Sequence, residues 1–405
     1  MERSYPAFTV TKKAEFSLKN GHPWVYGEEI IRKNGAYSNG DIVDVFGEKG
    51  NYLGSGYVND LSKIAVRVIS TNANDRFDEA FYARRVKYAL DYRRQVMGDD
   101  FSCCRLIFGE ADFFPGLTVD RFGSVLVTQS LSLGTDQRKG IIFPLIVDYL
   151  RSMGETVDAV FERNDAPIRA LEGMEEYKAF FSHEGLRNDL VGHTEITENG
   201  IKYDVDYING QKTGFFLDQK YNRLAVRRLA KGRRVLDCFT HTGAFALNAA
   251  MGNAESVTAV DISANAIELA KRNAQRNDIE MNFIVADVFD LLTELNAKKS
   301  KDYDFIILDP PAFTKSGATA KNAYRGYKEI NLKAMRLLPR GGYLATCSCS
   351  HFMYDDMFRK MLQEAAHDAS VTLRQIEARQ QAPDHPILPT VRETDYLKFY
   401  LFQVV

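Results

Sequence analysis

In the second half of the chain, short apolar runs alternate with longer stretches of helical composition, and each run ends in a polar residue. Val235 and Leu236 lead to Asp237, and Gly243 opens an alanine-rich run, so residues 234–247 read as strand, tight loop and helix. Residues 256–262 predict a second strand delivering Asp261, with Ser263 as N-cap of a helix reaching about Asn277. A third run, 282–285, ends at Ala286-Asp287; a fourth, 303–308, at Asp309-Pro310-Pro311; a fifth, 342–346, at Cys347-Ser348-Cys349-Ser350. A helix over 354–366 and two strands, 371–377 and 396–405, flank the proline-rich loop 383–389 and complete the pattern. Such alternation predicts an open, mostly parallel α/β sheet, in which ligands bind beyond the carboxyl ends of the strands. Four acids and a cysteine are placed there.

The first half has a different rhythm. Strands at 8–10, 24–26, 41–46, 52–58 and 64–69, separated by Gly, Asn and Asp turns, predict a small β domain. A helix over 75–97 carries Arg84, Arg85, Lys87, Arg93 and Arg94, which reads as a solvated face. A strand at 124–129, a helix at 139–153 and a strand at 157–161, followed by a polar Glu162-Arg163-Asn164-Asp165 loop, make an α+β unit. Residues 195–207 predict a hairpin turned at Asn199-Gly200, because Asn-Gly accepts the positive φ such a turn needs. The polar and aromatic stretch 209–223 either folds over a ligand or starts a helix capped by Asp218. The helix that follows, with Lys220, Arg223, Arg227, Arg228 and Lys231, is the best local basic patch. The expected domains are 1–72, 73–190 and 191–405.

Composition changes this picture little. The hydrophobic share of 45%, the charged share of 26% and a net charge of −2 over 405 residues are those of an ordinary globular protein and make no global electrostatic case for nucleic acid. No apolar run is long enough to span a bilayer and Met1-Glu2-Arg3-Ser4 opens no signal pattern, so a cytoplasmic protein without membrane contact is expected. Five cysteines, two adjacent and two one residue apart, form neither a disulfide framework nor a metal site.

The loop after Val235-Leu236 lacks the Gly-x-Gly-x-x-Gly spacing and any Gly-Lys-Ser/Thr, which argues against a pyrophosphate ligand. An acid at the strand end repels phosphate and suits a ligand with a cation and ribose hydroxyls. S-adenosylmethionine (SAM) has both. Asp261 then accepts the ribose hydroxyls and Asp287 the adenine amino group. Asp309 and Cys349 end consecutive predicted strands and so face one crevice. A methyl donor beside a thiol implies a definite chemistry: thiolate addition at carbon 6 of a pyrimidine makes carbon 5 nucleophilic, and an acid near ring nitrogen 3 stabilises the developing charge. Bland alternatives stand beside these roles. Cys347 reads as a packing residue, Cys349 is evenly balanced between packing and nucleophile, Asp309 before two prolines can cap a rigid loop, and His241 and His351 read as structural or solvent-exposed.

Gly21-His-Pro-Trp-Val-Tyr26, the run 40–45, Gly109-Glu110-Ala111-Asp112 with 115–121, Glu162 to Asp165, and above all Gly210 to Gln219 with Asn222-Arg223 resemble the RlmI-like family of class I methyltransferases over nearly the whole chain. The resemblance implies an N-terminal PUA β barrel that binds RNA, a middle α+β domain, and a Rossmann-like methyltransferase domain with a seven-stranded, mostly parallel sheet. It implies formation of 5-methylcytosine in 23S ribosomal RNA. By the same resemblance Asp237 and Gly243 line the SAM pocket, Asp261 holds the ribose, Asp287 sits by the adenine and Gln219 by the methionine part. Phe239, Thr242, Ile262 and Val288 complete that set, and Asp309 is shared with the target base, which Cys349 also serves. A homodimer is expected and a metal is not. Two positions depart from the family pattern, His351 for a glycine and Ala312 for a lysine, both at the base pocket. Guanine-N7 methylation of the same RNA remains open, since N7 needs no thiol, as does a non-catalytic assembly factor that binds RNA and SAM.

Overall fold

The computed structural model describes residues 4–314 and 320–405; the opening Met1-Glu2-Arg3 lies outside them. The chain divides into two units, one of Met1–Ile196, Val205–Leu217 and Pro383–Thr394, the other of Thr197–Asp204, Asp218–Ala382 and Asp395–Val405.

In the first unit, β1 (Ala7–Val10), β2 (Trp24–Tyr26), β3 (Ile30–Asn34), β4 (Ile42–Phe46), β5 (Tyr52–Val58) and β6 (Ile64–Ser70) form a six-stranded sheet in the order β2-β6-β5-β4-β1-β3. Alternate residues such as Phe8, Val10, Val43, Val45, Val66 and Val68 fill its core. Two elements here were not anticipated. The helix Lys12–Lys19 buries only Ala14 and Leu18, and β3 is exposed beyond Ile30, so neither prints a clear apolar period.

A second sheet in this unit, ordered β11-β10-β9-β8-β7, contains β7 (Cys103–Phe108), β8 (Leu117–Phe122), β9 (Val125–Ser130), β10 (Ala159–Asn164) and β11 (Tyr177–Phe180). Glu162, Arg163 and Asn164 are not the expected loop; they lie in β10 and are buried. Their polarity is satisfied internally: Lys139 Nζ donates to Glu162 at 2.7 Å, Tyr177 Oη donates to the same carboxylate at 2.7 Å, and Arg163 pairs with Asp165 at 3.1 Å. The helix Glu79–Met97 is likewise not simply a solvated cationic face, because Arg93 is fully buried and forks onto Asp112.

The chain then forms the hairpin β12 (His193–Glu198) and β13 (Ile201–Asp206), turned as predicted with positive φ at Asn199 and Gly200. In the second unit, β14 (Arg234–Cys238), β15 (Ser256–Asp261), β16 (Asn282–Val285), β17 (Phe305–Leu308), β18 (Tyr343–Ser348), β19 (Leu373–Arg379) and β20 (Lys398–Val404) build a seven-stranded sheet ordered β16-β15-β14-β17-β18-β20-β19. The first five pair in parallel, and β20 runs antiparallel to both its neighbours. Both faces are covered, as a parallel sheet requires: Leu236, Cys238, Ile306, Leu308 and Leu344 belong to one core, Val235, Phe305, Ile307, Ala345 and Cys347 to another. Strand order reverses between β14 and β17. That is the switch point where open α/β sheets leave a crevice, and Asp237 and Asp309 flank it.

Candidate cofactor and base site

Asp237 is fully buried near the end of β14. Its Oδ2 accepts from Thr240 Oγ1 at 2.5 Å and from the Ala246 N–H at 2.9 Å, while Oδ1 is buried without a hydrogen-bond partner among the described residues. The loop that follows alternates into the left-handed region at Phe239 (φ 64°), His241 (φ 50°) and Gly243 (φ 79°). Its shape is held by His241 N–H, which donates to Asp261 Oδ2 at 3.0 Å, and by Thr240 N–H, which donates to the Val260 carbonyl at 2.9 Å. Gly243 is required for a reason the sequence does not display. Besides its φ, a Cβ there would meet Ala270 of the helix Ala264–Arg276 at 3.0 Å, so the close packing of that helix also disfavours a side chain.

The neighbouring strand ends carry the other predicted residues. Asp261 Oδ1 accepts from the Ser263 N–H at 2.9 Å, and Ser263 caps its helix as expected. Ile262 is 69% exposed, an apolar side chain left open at a strand end. Asp287 caps the helix Val288–Ala297 by accepting from the Phe289 N–H at 2.7 Å. Val288 and Thr242 are buried, Val288 in the core of the sheet, and Phe239 is half-buried against the same core. Burial pushes the Asp237 carboxyl up to about 7, with the charges of Asp309 and Asp261 adding to it. Asp309 is pushed up to about 7 as well, first by burial and then by Asp218. A cluster of acids, Asp237 and Asp218 buried and Asp309 and Asp261 half-buried, with an oxygen on each of the first two that has no hydrogen-bond partner among the described residues, fits a ligand carrying positive charge.

Beyond β17, Gln219 Nε2 donates to Asp309 Oδ1 at 3.0 Å, Asn222 donates to Gln219 Oε1 at 2.7 Å, and Arg379 Nε donates to Asn222 Oδ1 at 3.2 Å. The relay fixes the orientation of the Gln219 amide. Asp218 is not the helix cap of the second of the two readings: the helix Lys220–Leu229 has Gln219 at its N-cap, whose side chain does not cap it, and Asp218 Oδ2 accepts from Tyr396 Oη at 2.5 Å. The basic patch on this helix is partly internal, with Arg228 and Lys231 left exposed. Lys220 and Arg223 are buried, Arg223 pairs with Glu198 at 2.5 Å, Arg227 donates to the Asn199 carbonyl and Arg228 pairs with Glu377.

Cys349 follows β18 directly. It is the one cysteine of five that is not fully buried, and its thiol donates to the Pro310 carbonyl at 3.9 Å; Cys103, Cys104, Cys238 and Cys347 are buried. Burial, then the charges of Asp309 and Asp218, push the Cys349 thiol up to about 12. His351 and Ala312 are exposed, and the His351 ring stands 5.5 Å from that of Tyr396.

A PUA-like domain family matches residues 8–71, and an S-adenosylmethionine-dependent methyltransferase family matches residues 156–403. Two curated relatives, each named ribosomal RNA large subunit methyltransferase I, are similar over almost the whole chain. That of Klebsiella pneumoniae (strain 342) is 36% identical over 410 residues, covering 99% of each chain, and that of Escherichia coli O157:H7 is 38% identical over 401 residues, covering 98% of each. The chain belongs to the RlmI-like family of SAM-dependent methyltransferases. Its fold is shared by a solved SAM-dependent methyltransferase structure from Streptococcus mutans, with a TM-score of 0.81 at 22% identity, covering 98% of this chain and 100% of that one. A methyltransferase structure complexed with SAH superposes with a TM-score of 0.82 at 21% identity and the same coverage.

As an RlmI-like enzyme the protein uses SAM, and the acid cluster suits the positive charges of that cofactor. Among the described residues no group of His, Cys, Asp or Glu is placed to hold a metal ion, and no helix is long and apolar enough to cross a membrane. Three polar residues at the Cys349 end escaped sequence reasoning: Asp218 as a site acid, Tyr327, whose Oη lies 2.9 Å from Ser350 Oγ, and Lys398. The last had a signal, a lone lysine in the apolar run Leu397 to Phe402.

Proposed function

We propose that the protein is a cytoplasmic enzyme that methylates carbon 5 of a cytosine in large-subunit ribosomal RNA through a covalent adduct with Cys349. The names of the relatives supply the RNA class, and the PUA-like region supplies the RNA affinity. The observation that carries the reaction is Cys349, the one cysteine that is not fully buried, whose thiol stands within the field of Asp309 at adjacent strand ends. When bound, SAM supplies an electrophilic methyl group on its sulfonium. Asp237 receives its ammonium at the unpartnered Oδ1, Asp261 its ribose hydroxyls, Asp287 and Ile262 its adenine, and Gln219 its methionine part. The target base leaves its stack to reach the crevice. The Cys349 thiolate adds at carbon 6 while Asp309, which holds a proton part of the time near neutrality, donates it to ring nitrogen 3. Carbon 5 takes the methyl group, then loses its proton to solvent as the thiolate leaves, and the nitrogen 3 proton returns to Asp309.

One observation favours a second reading. The resting thiol is pushed up to about 12, far from the ionised form, and guanine N7 needs no thiol. Nucleoside mass spectrometry of ribosomal RNA from cells with and without the gene, and with Cys349→Ala, separates the two. Loss of one 5-methylcytidine in both the deletion and the variant is expected. Loss of 7-methylguanosine in the deletion, with retention in the variant, would replace the cytosine reading; no change in either nucleoside would leave an RNA- and SAM-binding factor without transfer.

A further inference from the structure

Lys398 is a buried amine without a carboxylate partner among the described residues. It is 5% exposed and sits opposite Ser348 in the β18–β20 ladder, one residue from Cys349. Its Nζ donates to the Ser350 carbonyl at 2.9 Å and to the Tyr396 carbonyl at 2.7 Å, so two neutral oxygens hold it on either side. A buried ammonium ordinarily has an anion at hand, because an uncompensated charge out of water is strongly destabilising. Three titratable groups face this one. Asp395, ahead of β20, accepts from Gln380 Nε2 at 3.0 Å and is exposed; Asp355, at the start of the helix Asp355–Ala369, accepts from Tyr400 Oη at 2.5 Å and is exposed; the third is the Cys349 thiol. Both carboxylates are solvated and engaged elsewhere. The thiol, which donates to the Pro310 carbonyl at 3.9 Å, is the one of the three that is not exposed.

We propose that Lys398 is the fixed counter-ion of the Cys349 thiolate: its ammonium stays uncompensated while the sulfur is protonated and becomes half of an ion pair once the S–H proton leaves to solvent. The inference rests on Cys349 being the nucleophile. It answers the difficulty that reading carries, because Asp309 and Asp218 oppose ionisation of the sulfur and a cation is needed against them. Burial lowers the amine to about 8, and the neighbouring sulfur acts to raise it again, as a developing pair should. Lys398 acts through Cys349 and is therefore a positioning residue.

The test reads the thiol itself. Full-length protein is alkylated with iodoacetamide between pH 6 and pH 10, and modification of the Cys349 peptide is followed by mass spectrometry, with the four buried cysteines as internal controls for folding. Removing a cation at this range shifts a thiol by about one to three pH units, so Lys398→Met should move the alkylation profile upward and slow the reaction about tenfold or more at pH 8, while Lys398→Arg keeps the profile of the unaltered protein. An unshifted profile in Lys398→Met, or equal slowing by Arg and Met, would overturn the proposal. Should Lys398→Met not fold, the pair is read from its other side: pH-dependent acetylation of Lys398 should show a lower titration midpoint in Cys349→Ala than in the unaltered protein, and equal midpoints would overturn it. Neither readout involves methyl transfer, whereas 5-methylcytidine formed by Cys349→Ala would sink the nucleophile reading alone.

Discussion

In the five-stranded sheet, buried charges have opposite charges at hand. Arg105 forks onto Asp120 at 2.7 and 2.8 Å, with Thr213 donating to the same carboxylate at 2.6 Å; Arg93 forks onto Asp112; Lys139 meets Glu162; Arg169 meets Asp136 at 3.1 Å. At the strand ends of the seven-stranded sheet, Asp237 and Lys398 are buried and Asp309 half-buried, and all three have hydrogen bonds but no ion pair among the described residues. Arg223 with Glu198 shows that the second unit also pairs its charges where they serve only the fold. A closed pair cancels its own field and offers nothing to a ligand; an open charge is costly to keep and is neutralised only by what binds. Uncompensated burial, more than burial, marks the site.

The largest effect belongs to the closed pairs. Asp120→Ala strands Arg105 and should lower stability by about 3–5 kcal/mol in urea unfolding; a loss below about 1 kcal/mol would erase the contrast. Asp237→Asn should behave in the opposite way. It removes an unpaired acid, so the ligand-free protein should unfold at the same urea concentration or a higher one, while SAM affinity falls about 10- to 150-fold by calorimetry, the range for a hydrogen bond to a charged group. A variant that loses stability and keeps its affinity would move Asp237 to the structural class.

The smallest effect concerns pH. Burial raises Asp237 and Asp309 to about 7, so the stability these groups give the ligand-free protein is fully present below the ordinary carboxyl value and is lost as pH rises through about 7. A cationic ligand selects the ionised form of Asp237, which receives its ammonium, whereas Asp309 keeps its proton for the base. SAM affinity should therefore climb between pH 6 and pH 8, by at most about tenfold per pH unit for the one carboxyl, with a proton released on binding. Calorimetry in two buffers of different ionisation heat measures that release, and proton uptake or a flat profile would refute the charge assignment.

Much of the fold was legible because it is local. Apolar runs ending in acids place β14 to β18, Asn199-Gly200 sets the hairpin, and Ser263 announces its helix. What was illegible depends on distant partners. Glu162 to Asn164 look like a loop until Lys139 and Tyr177 satisfy them, and Lys220 and Arg223 look like a basic surface until Glu198 draws the arginine inward. Within the site, Asp237, Asp261, Asp309 and Cys349 could be picked out by their place after apolar runs. Asp218 and Tyr396 could not, since they meet across 178 residues and their adjacency is a property of the folded sheet.

The strand that completes the seven-stranded sheet is the last to be synthesised, yet it is not at an edge: β20 inserts between β18 and β19. During translation the cofactor side of the sheet, β14 to β17, can form while β18 still presents an open hydrogen-bonding edge, the kind of edge that recruits other chains. Until β20 leaves the ribosome, Cys349 has no Lys398 beside it. A nascent chain that emerges from the very particle whose RNA is its proposed substrate is thus held without its ion pair until synthesis has passed the final strand.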